Sequence, residues 1–165
     1  MSRFFCRAGH AASTLLLLSV LLLNSCSIRK IAMNSLAGSF DNAMDVYARD
    51  DSPELVKDAM PSSLKLIEML LANDPENPEL LSAAAAGFTM YSHAFLAQEA
   101  DYIEDENLPK AREMREEAKK LFLRARDYGL RGLNARHSGI GEKIRSDTSG
   151  VLSATTEADV PLMYW

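Results

Sequence analysis

Side chains able to act as nucleophiles, bases or soft metal ligands are few in this 165-residue chain: Cys6, Cys26, His10, His93 and His137. Their spacing argues against a shared reaction. His93 and His137 stand forty-four residues apart, neither belongs to a His-Glu-X-X-His or similar ligand pattern, and no cysteine follows position 26. His93 lies between Tyr91 and Phe95 in an Ala-rich apolar stretch, where a buried or half-buried helix histidine is the ordinary account and ligand handling the lesser one. His137 precedes Ser138-Gly139, and a cationic ring there would favour a helix C-terminus. Glu99, Asp101, Glu104, Asp105 and Glu106 form the densest acidic group. Acid–base catalysis would need them in a cleft with unequal environments, and a Ca2+ loop would need a glycine at its turn, so a solvated helix end accounts for them. The expectation is a non-enzymatic protein with no catalytic residue, cofactor or metal site.

Arginines and aromatics offer recognition in place of catalysis. Arg124, Arg126, Arg131 and Arg136 recur along one segment, and arginine suits planar, bidentate interface contacts. For Arg126 with Asp127 the plain account is an internal pair locking one helix against the next. Phe88, Tyr91, Phe95 and Tyr128 recur at helical spacing, which is ordinarily core packing but also lines grooves between helix pairs. The candidate partner or ligand surface is Tyr91, Phe95, Arg124, Tyr128, Arg131 and Arg136. Gly87, Gly129 and Gly132 read as close-contact packing sites within helices, since no strand precedes a glycine-rich loop.

Cys26 carries a different chemistry, acylation. It follows Arg3 and Arg7, the Leu-rich run from Leu15 to Leu23, and Asn24-Ser25, the order of a basic region, a short apolar region and small residues before a cleavage point. Leu23-Asn24-Ser25-Cys26 resembles a lipobox, where the thiol takes diacylglycerol. Ala11 to Leu23 is 13 residues, short of the roughly 20 needed to span a bilayer core. The reading is therefore a lipoprotein signal peptide over 1–25 and a lipid-anchored tether over 26–38. Several acyl chains together hold a protein stably on a leaflet, and Ser27 in place of aspartate tilts the placement toward the outer membrane, with the body facing the periplasm.

Loss of Arg3 and Arg7 with the leader takes the formal charge from −5 to −7. An acidic body of this kind argues against nucleic acid as a partner. Without a further cysteine, cohesion must come from packing.

The elements that must position these residues read as helices throughout 39–165. A first helix is expected over Ser39–Arg49, its stripe made of Phe40, Ala43, Met44 and Tyr47. Ser52-Pro53 opens a second, to about Asn73, with Ser52 as N-cap. Its apolar positions from Leu55 to Leu71 cover a broad face, and Pro61 should kink or divide it. Pro78 opens a third, to about Ile103, and Pro109 a fourth, to about Arg136, with Ala111, Met114, Ala118, Leu121, Phe122, Ala125, Gly129 and Leu133 on one face. Thr156 to Asp159 fits a capping-box start for one more. Short loops make the fold all-α, with antiparallel hairpins assembled as a bundle or as an α-solenoid. The Asp74-Pro75-Glu76-Asn77-Pro78 turn has the flavour of tetratricopeptide hairpins, although no clean 34-residue period repeats.

Several segments resemble the TatT component family of bacterial lipoproteins associated with tripartite ATP-independent periplasmic (TRAP) transporters. They are Tyr47 to Asp51 with Pro53 to Val56, Ala59-Met60-Pro61 with Leu64 to Glu68, Ala84 to Thr89 with Tyr91, Ala94-Phe95, Glu99 to Asp101, and most distinctively Leu123 to Leu133 closed by Ala135-Arg136-His137. The resemblance implies a periplasmic, membrane-tethered array of degenerate tetratricopeptide-like repeats that partners a solute-binding protein. It also implies a homo-oligomer, a trimer with a channel or cavity. Members of that family continue for about another hundred residues, so the resemblance implies an array cut short near Pro161-Leu162-Met163-Tyr164-Trp165, whose apolar side chains would lack a packing partner. The expected function is an accessory or scaffold to a TRAP-type solute-binding protein and uptake system. The alternative is direct carriage of a small apolar ligand in a helical cavity.

Overall fold

The computed structural model describes Ser35, Ser39, residues 44–144 and residues 146–165. The expected leader, the lipid attachment at Cys26 and all of the tether except Ser35 lie outside the described residues, as do Phe40 and Ala43. Among the described residues the fold is all-α, with no strand.

Residues 44–49 are helical (α1). Met44 is buried, and Tyr47 meets the Ser63 hydroxyl at 2.6 Å, fastening α1 to the next helix. That helix, α2, spans Pro53–Leu71 without a break at Pro61. The expected division does not occur because Pro61 is exposed, so the carbonyl four residues back that loses its partner can turn to water. The inward face is also narrower than expected. Val56, Met60, Leu64, Ile67 and Leu71 are buried, whereas Leu55 and Met69 are 61% and 65% exposed. Ser52 sits at the N-cap but makes no side-chain cap bond; its own N–H donates to Asp50 Oδ1 at 2.8 Å.

Helix α3, Pro78–Ile103, is the spine of the fold. Asn77 caps it by accepting from the Leu80 N–H at 3.0 Å, and every residue from Leu80 to Phe88 is buried. One π-helical turn, His93–Ala97, interrupts it. The buried Ser92 hydroxyl donates to the Phe88 carbonyl just before that turn, the kind of local competition that widens a helix. His93 is thereby exposed, a correction to the expected buried or half-buried histidine, while Tyr91 and Phe95 remain against the core.

Helix α4, Leu108–Arg136, starts at an Asn107 cap that accepts from Lys110 N–H at 3.1 Å. Ala111, Ala118, Ala125 and Gly132 recur every seven residues and are all buried. The Ala-rich stretch of α3 meets the C-terminal part of this helix, where a Cβ at Gly129 would lie 4.0 Å from Ala85 Cβ, while Ala118 lies farther along, beside Ala97. The pairing is antiparallel, since Phe88 meets Tyr128 near one end and Asp101 meets Arg115 near the other.

Gly139, at φ +74, supplies the left-handed turn after α4. Two short helices follow, α5 (Ile140–Lys143) and α6 (Thr148–Ala154), then a 3-10 turn over Glu157–Asp159 and α7 (Val160–Tyr164). The capping box expected at Thr156 and Asp159 is formed. The expectation that the apolar C-terminal segment lacks a packing partner is corrected for Leu162, while Pro161, Met163, Tyr164 and Trp165 are exposed. Leu162 is buried in a cluster with Leu133, Ile140 and Val151. It enters a notch that exists because Gly129 and Gly132 withhold side chains: a Cβ at Gly132 would overlap Leu162 Cδ2, and one at Gly129 would lie 3.0 Å from the Leu162 carbonyl oxygen.

Candidate interaction surface

The six residues singled out for recognition do not form one site; the structure distributes them over three places. Arg124, Tyr128 and Arg131 meet on the edge of α4 nearest α2. They stand four and then three residues apart, so they rise along one face of the helix. Tyr128 donates its hydroxyl to Glu68 Oε1 at 2.8 Å, Arg124 Nη1 reaches the same oxygen at 3.4 Å, and Lys65 Nζ donates to Glu68 Oε2 at 2.7 Å. The Tyr128 ring stacks on Phe88, with centroids 5.8 Å apart and planes 26° apart. Arg124 lies over Phe88 at 5.3 Å and Arg131 over Tyr128 at 5.4 Å, both within cation–π range. Arg131 Nη2 also donates to the Pro75 carbonyl at 2.9 Å, holding the α2–α3 turn against α4.

The electrostatics of this group follow from burial against hydrogen bonding. Burial acts on Glu68 to raise its pKa, but the donors from Lys65 and Tyr128, with both nearby cations, outweigh it and hold the carboxyl below its ordinary value. Tyr128 is pushed up to about 12, first by burial and then by its bond to the Glu68 carboxylate. The pair is therefore a carboxylate and a neutral phenol across the neutral range, with the phenol as donor.

Tyr91 and Phe95 occupy the second place. Their rings lie 5.6 Å apart and tilted by 51°, and both pack against the cluster of Met44, Val56, Met60 and Ala86. They serve the seam between α1, α2 and α3.

Arg136 belongs to the third, with His137 and Asp159. Arg136 Nη1 donates to the Ala158 carbonyl at 2.8 Å and pairs with Asp159 at 3.6 Å, while Nη2 pairs with Glu79 of α3 at 3.6 Å. His137 Nε2 lies 2.8 Å from Asp159 Oδ2. Asp159 is 1% exposed. Burial would raise its pKa, yet donors from the Thr156 backbone, His137 and the Thr156 hydroxyl bring it down to about 2. This group clasps the C-terminal turn to the end of α4.

Arg126 does pair with Asp127, through Nε at 3.0 Å and Nη2 at 2.7 Å, but both are exposed neighbours on one helix. The pair cannot lock two helices. That role falls to Arg124, Arg136 and a residue the sequence did not flag, Arg115. Arg115 grips Glu104 with both terminal nitrogens, at 2.9 and 2.6 Å, and Asp101 at 2.8 Å. Two of the acids expected at a solvated helix end therefore clamp α3 to α4. The clue in the sequence was the excess of cations on α4 next to that acidic turn.

Beside this clamp lies an open groove of about 340 Å³ with Ala97, Ala118, Phe122 and Leu123 as apolar walls and Lys119 at its rim. Another of similar size lies between the α2–α3 turn and Arg131, Asn134 and Ala135. Among the described residues no group of three or more His, Cys, Asp or Glu is placed to hold a metal ion.

Residues 49–165 match the model of a family described as TRAP transporter T-component. An uncharacterized protein of Treponema pallidum (strain Nichols) is 28% identical over 165 aligned residues, which take in 89% of this chain and 51% of that protein. The chain thus spans about half the length of the curated relative it matches.

Proposed function

The chain belongs to the TRAP transporter T-component family, and from that premise we propose that it is an accessory or scaffold to a TRAP-type solute-binding protein and uptake system. In this reading it is a lipoprotein, anchored through Cys26 to the periplasmic side of a membrane, the outer one by preference. Its helical-hairpin body, of tetratricopeptide-like kind, presents a surface to the solute-binding protein, and the family resemblance adds assembly as a trimer. The observation that carries the adaptor role is the arginine edge of α4. Arg124 and Arg131 are each fixed by intramolecular partners and remain exposed, as suits recognition better than catalysis.

The test is a pull-down from detergent-solubilised native membranes with the processed protein as bait, recording the intact bait mass. A bait carrying diacylglycerol and retaining a solute-binding protein supports the reading. An unacylated bait with no such partner contradicts both halves of it.

A second reading, carriage of a small apolar ligand, is favoured by the groove walled by Ala97, Ala118, Phe122 and Leu123. Its volume of about 340 Å³ falls at the lower end of small-molecule sites, which run from about 300 Å³ upward. Native mass spectrometry of the protein purified from its host would reveal a retained lipid or other apolar molecule; a bare mass counts against carriage.

A further inference from the structure

Arg124 and Arg131 are held in place without help from any partner. The order in space is guanidinium, phenyl ring, phenol ring, guanidinium: Arg124 over Phe88, Phe88 stacked on Tyr128, Arg131 over Tyr128. One terminal nitrogen of Arg124 is directed to Glu68 and one of Arg131 to the Pro75 carbonyl. An arginine carries five N–H donors in a fixed fork, so each keeps an edge for a carboxylate. Both are exposed. Their placement over the rings, with the bonds to Glu68 and Pro75, restricts the rotamers that an ordinary surface arginine would have to surrender on binding, which is the essence of preorganisation. Seven residues on an α-helix place them two turns, about 10.5 Å, apart along the axis.

Neighbouring charges narrow the kind of partner. Asp127 lies between the two arginines in sequence, and Glu76 lines the groove beside Arg131. A continuous anionic membrane surface would press against these carboxylates as well as the arginines. A discrete acidic segment can set its carboxylates on the two guanidinium groups and avoid them. We propose that Arg124 and Arg131 form a preorganised docking pair for an acidic segment of a partner protein. The proposal rests on the adaptor reading and adds to it the chemistry of the partner's contact segment.

The test uses the full purified protein and a fluorescent dodecapeptide of alternating Glu and Ala, followed by anisotropy at low salt, with a Gln-for-Glu peptide as comparison. Saturable binding of the Glu peptide is expected, with no binding of the Gln peptide. In the double variant Arg124→Gln with Arg131→Gln the affinity falls about tenfold or more. Arg126→Gln removes one positive charge two residues from Arg124 and leaves affinity within about twofold, because that arginine lies over no ring and pairs only with its neighbour Asp127. Circular dichroism checks each variant. If the Gln double variant does not fold, the Lys double variant, which keeps charge but loses the stack and fork, should bind about threefold or more weakly.

Failure of the native protein to bind the Glu peptide overturns the proposal. So does a loss in Arg126→Gln as large as that in the double variant. Binding to phosphatidylglycerol vesicles that the double variant abolishes, without peptide binding, would assign the pair to lipid and overturn it equally. A solute-binding protein that binds native and double-variant protein alike refutes the docking pair and leaves the adaptor reading standing. Peptide binding of the expected pattern without any solute-binding protein partner refutes the adaptor reading and leaves the docking pair.

Discussion

Tyr128 and Glu68, sixty residues apart in sequence, share a 2.8 Å hydrogen bond that joins α4 to α2 across the flank of α3. The acceptor is charged and its side chain is only 20% exposed. Hydrogen bonds to charged groups contribute about 1.5–3 kcal/mol, and partial exposure here favours the low end. Tyr128→Phe keeps the ring stack on Phe88 and removes only this bond. It should lower unfolding stability by about 1–2 kcal/mol in urea titrations, with the denaturant slope unchanged.

The same pair sets a pH signature. Tyr128 has a folded pKa raised from 10.0 to about 12. A raised acid contributes stability that is complete below its unfolded value and is lost as pH rises between 10.0 and about 12. Absorbance titration of tyrosinate should show one phenol ionising late, and Tyr128→Phe should remove that late step. Glu68 acts at the other limb. Its lowered pKa means a contribution present above the ordinary 4.5 and lost as pH falls below it.

Asp159 should govern the acid stability of the C-terminal clasp. Its carboxyl is held at about 2 against an ordinary 3.8, so its contribution is present above 3.8 and is lost as pH falls toward 2. Asp159→Asn should flatten this part of the acid limb and lower stability at neutral pH by about 1–3 kcal/mol, the penalty for impairing a buried hydrogen-bonded group. Hydrogen exchange should report faster opening in residues 156–165 than in α3.

The notch for Leu162 predicts a sign. Alanine replacing an exposed helical glycine ordinarily stabilises by about 1 kcal/mol. Gly132→Ala should instead destabilise by about 1–3 kcal/mol, because its Cβ displaces the buried Leu162 head. Leu162→Ala alone should lower stability by about 2–5 kcal/mol. In the double variant the two losses should fall short of additivity, since the clash disappears with the leucine. Chemical denaturation of the four proteins measures this coupling.

How much was legible in the sequence depended on whether the cause was local. Helices α3 and α4 could be bounded within a residue because Asn77-Pro78 and Asn107-Leu108-Pro109 combine a side-chain cap with a proline in the first turn. Gly129 and Gly132 could be read as contact sites because a glycine within a helix lacks another motive. The pairing of Arg115 with Glu104 and of Asp159 with His137 and Arg136 was hidden, since it depends on how separate segments fold onto α4, and the pattern along one helix does not encode that. Leu55 and Met69 misled for a related reason. Hydropathy identifies a residue that could be buried, while burial is decided by where α1 and α3 actually pack.

Calorimetric titration of a TRAP-type solute-binding protein from the same organism into the processed protein decides the adaptor role. That role requires saturable binding, and the docking pair requires that it weaken with salt and fall about tenfold in the Arg124→Gln, Arg131→Gln double variant. No heat of binding at protein concentrations up to about 100 μM, confirmed by the absence of a complex in size-exclusion chromatography, would contradict the adaptor role.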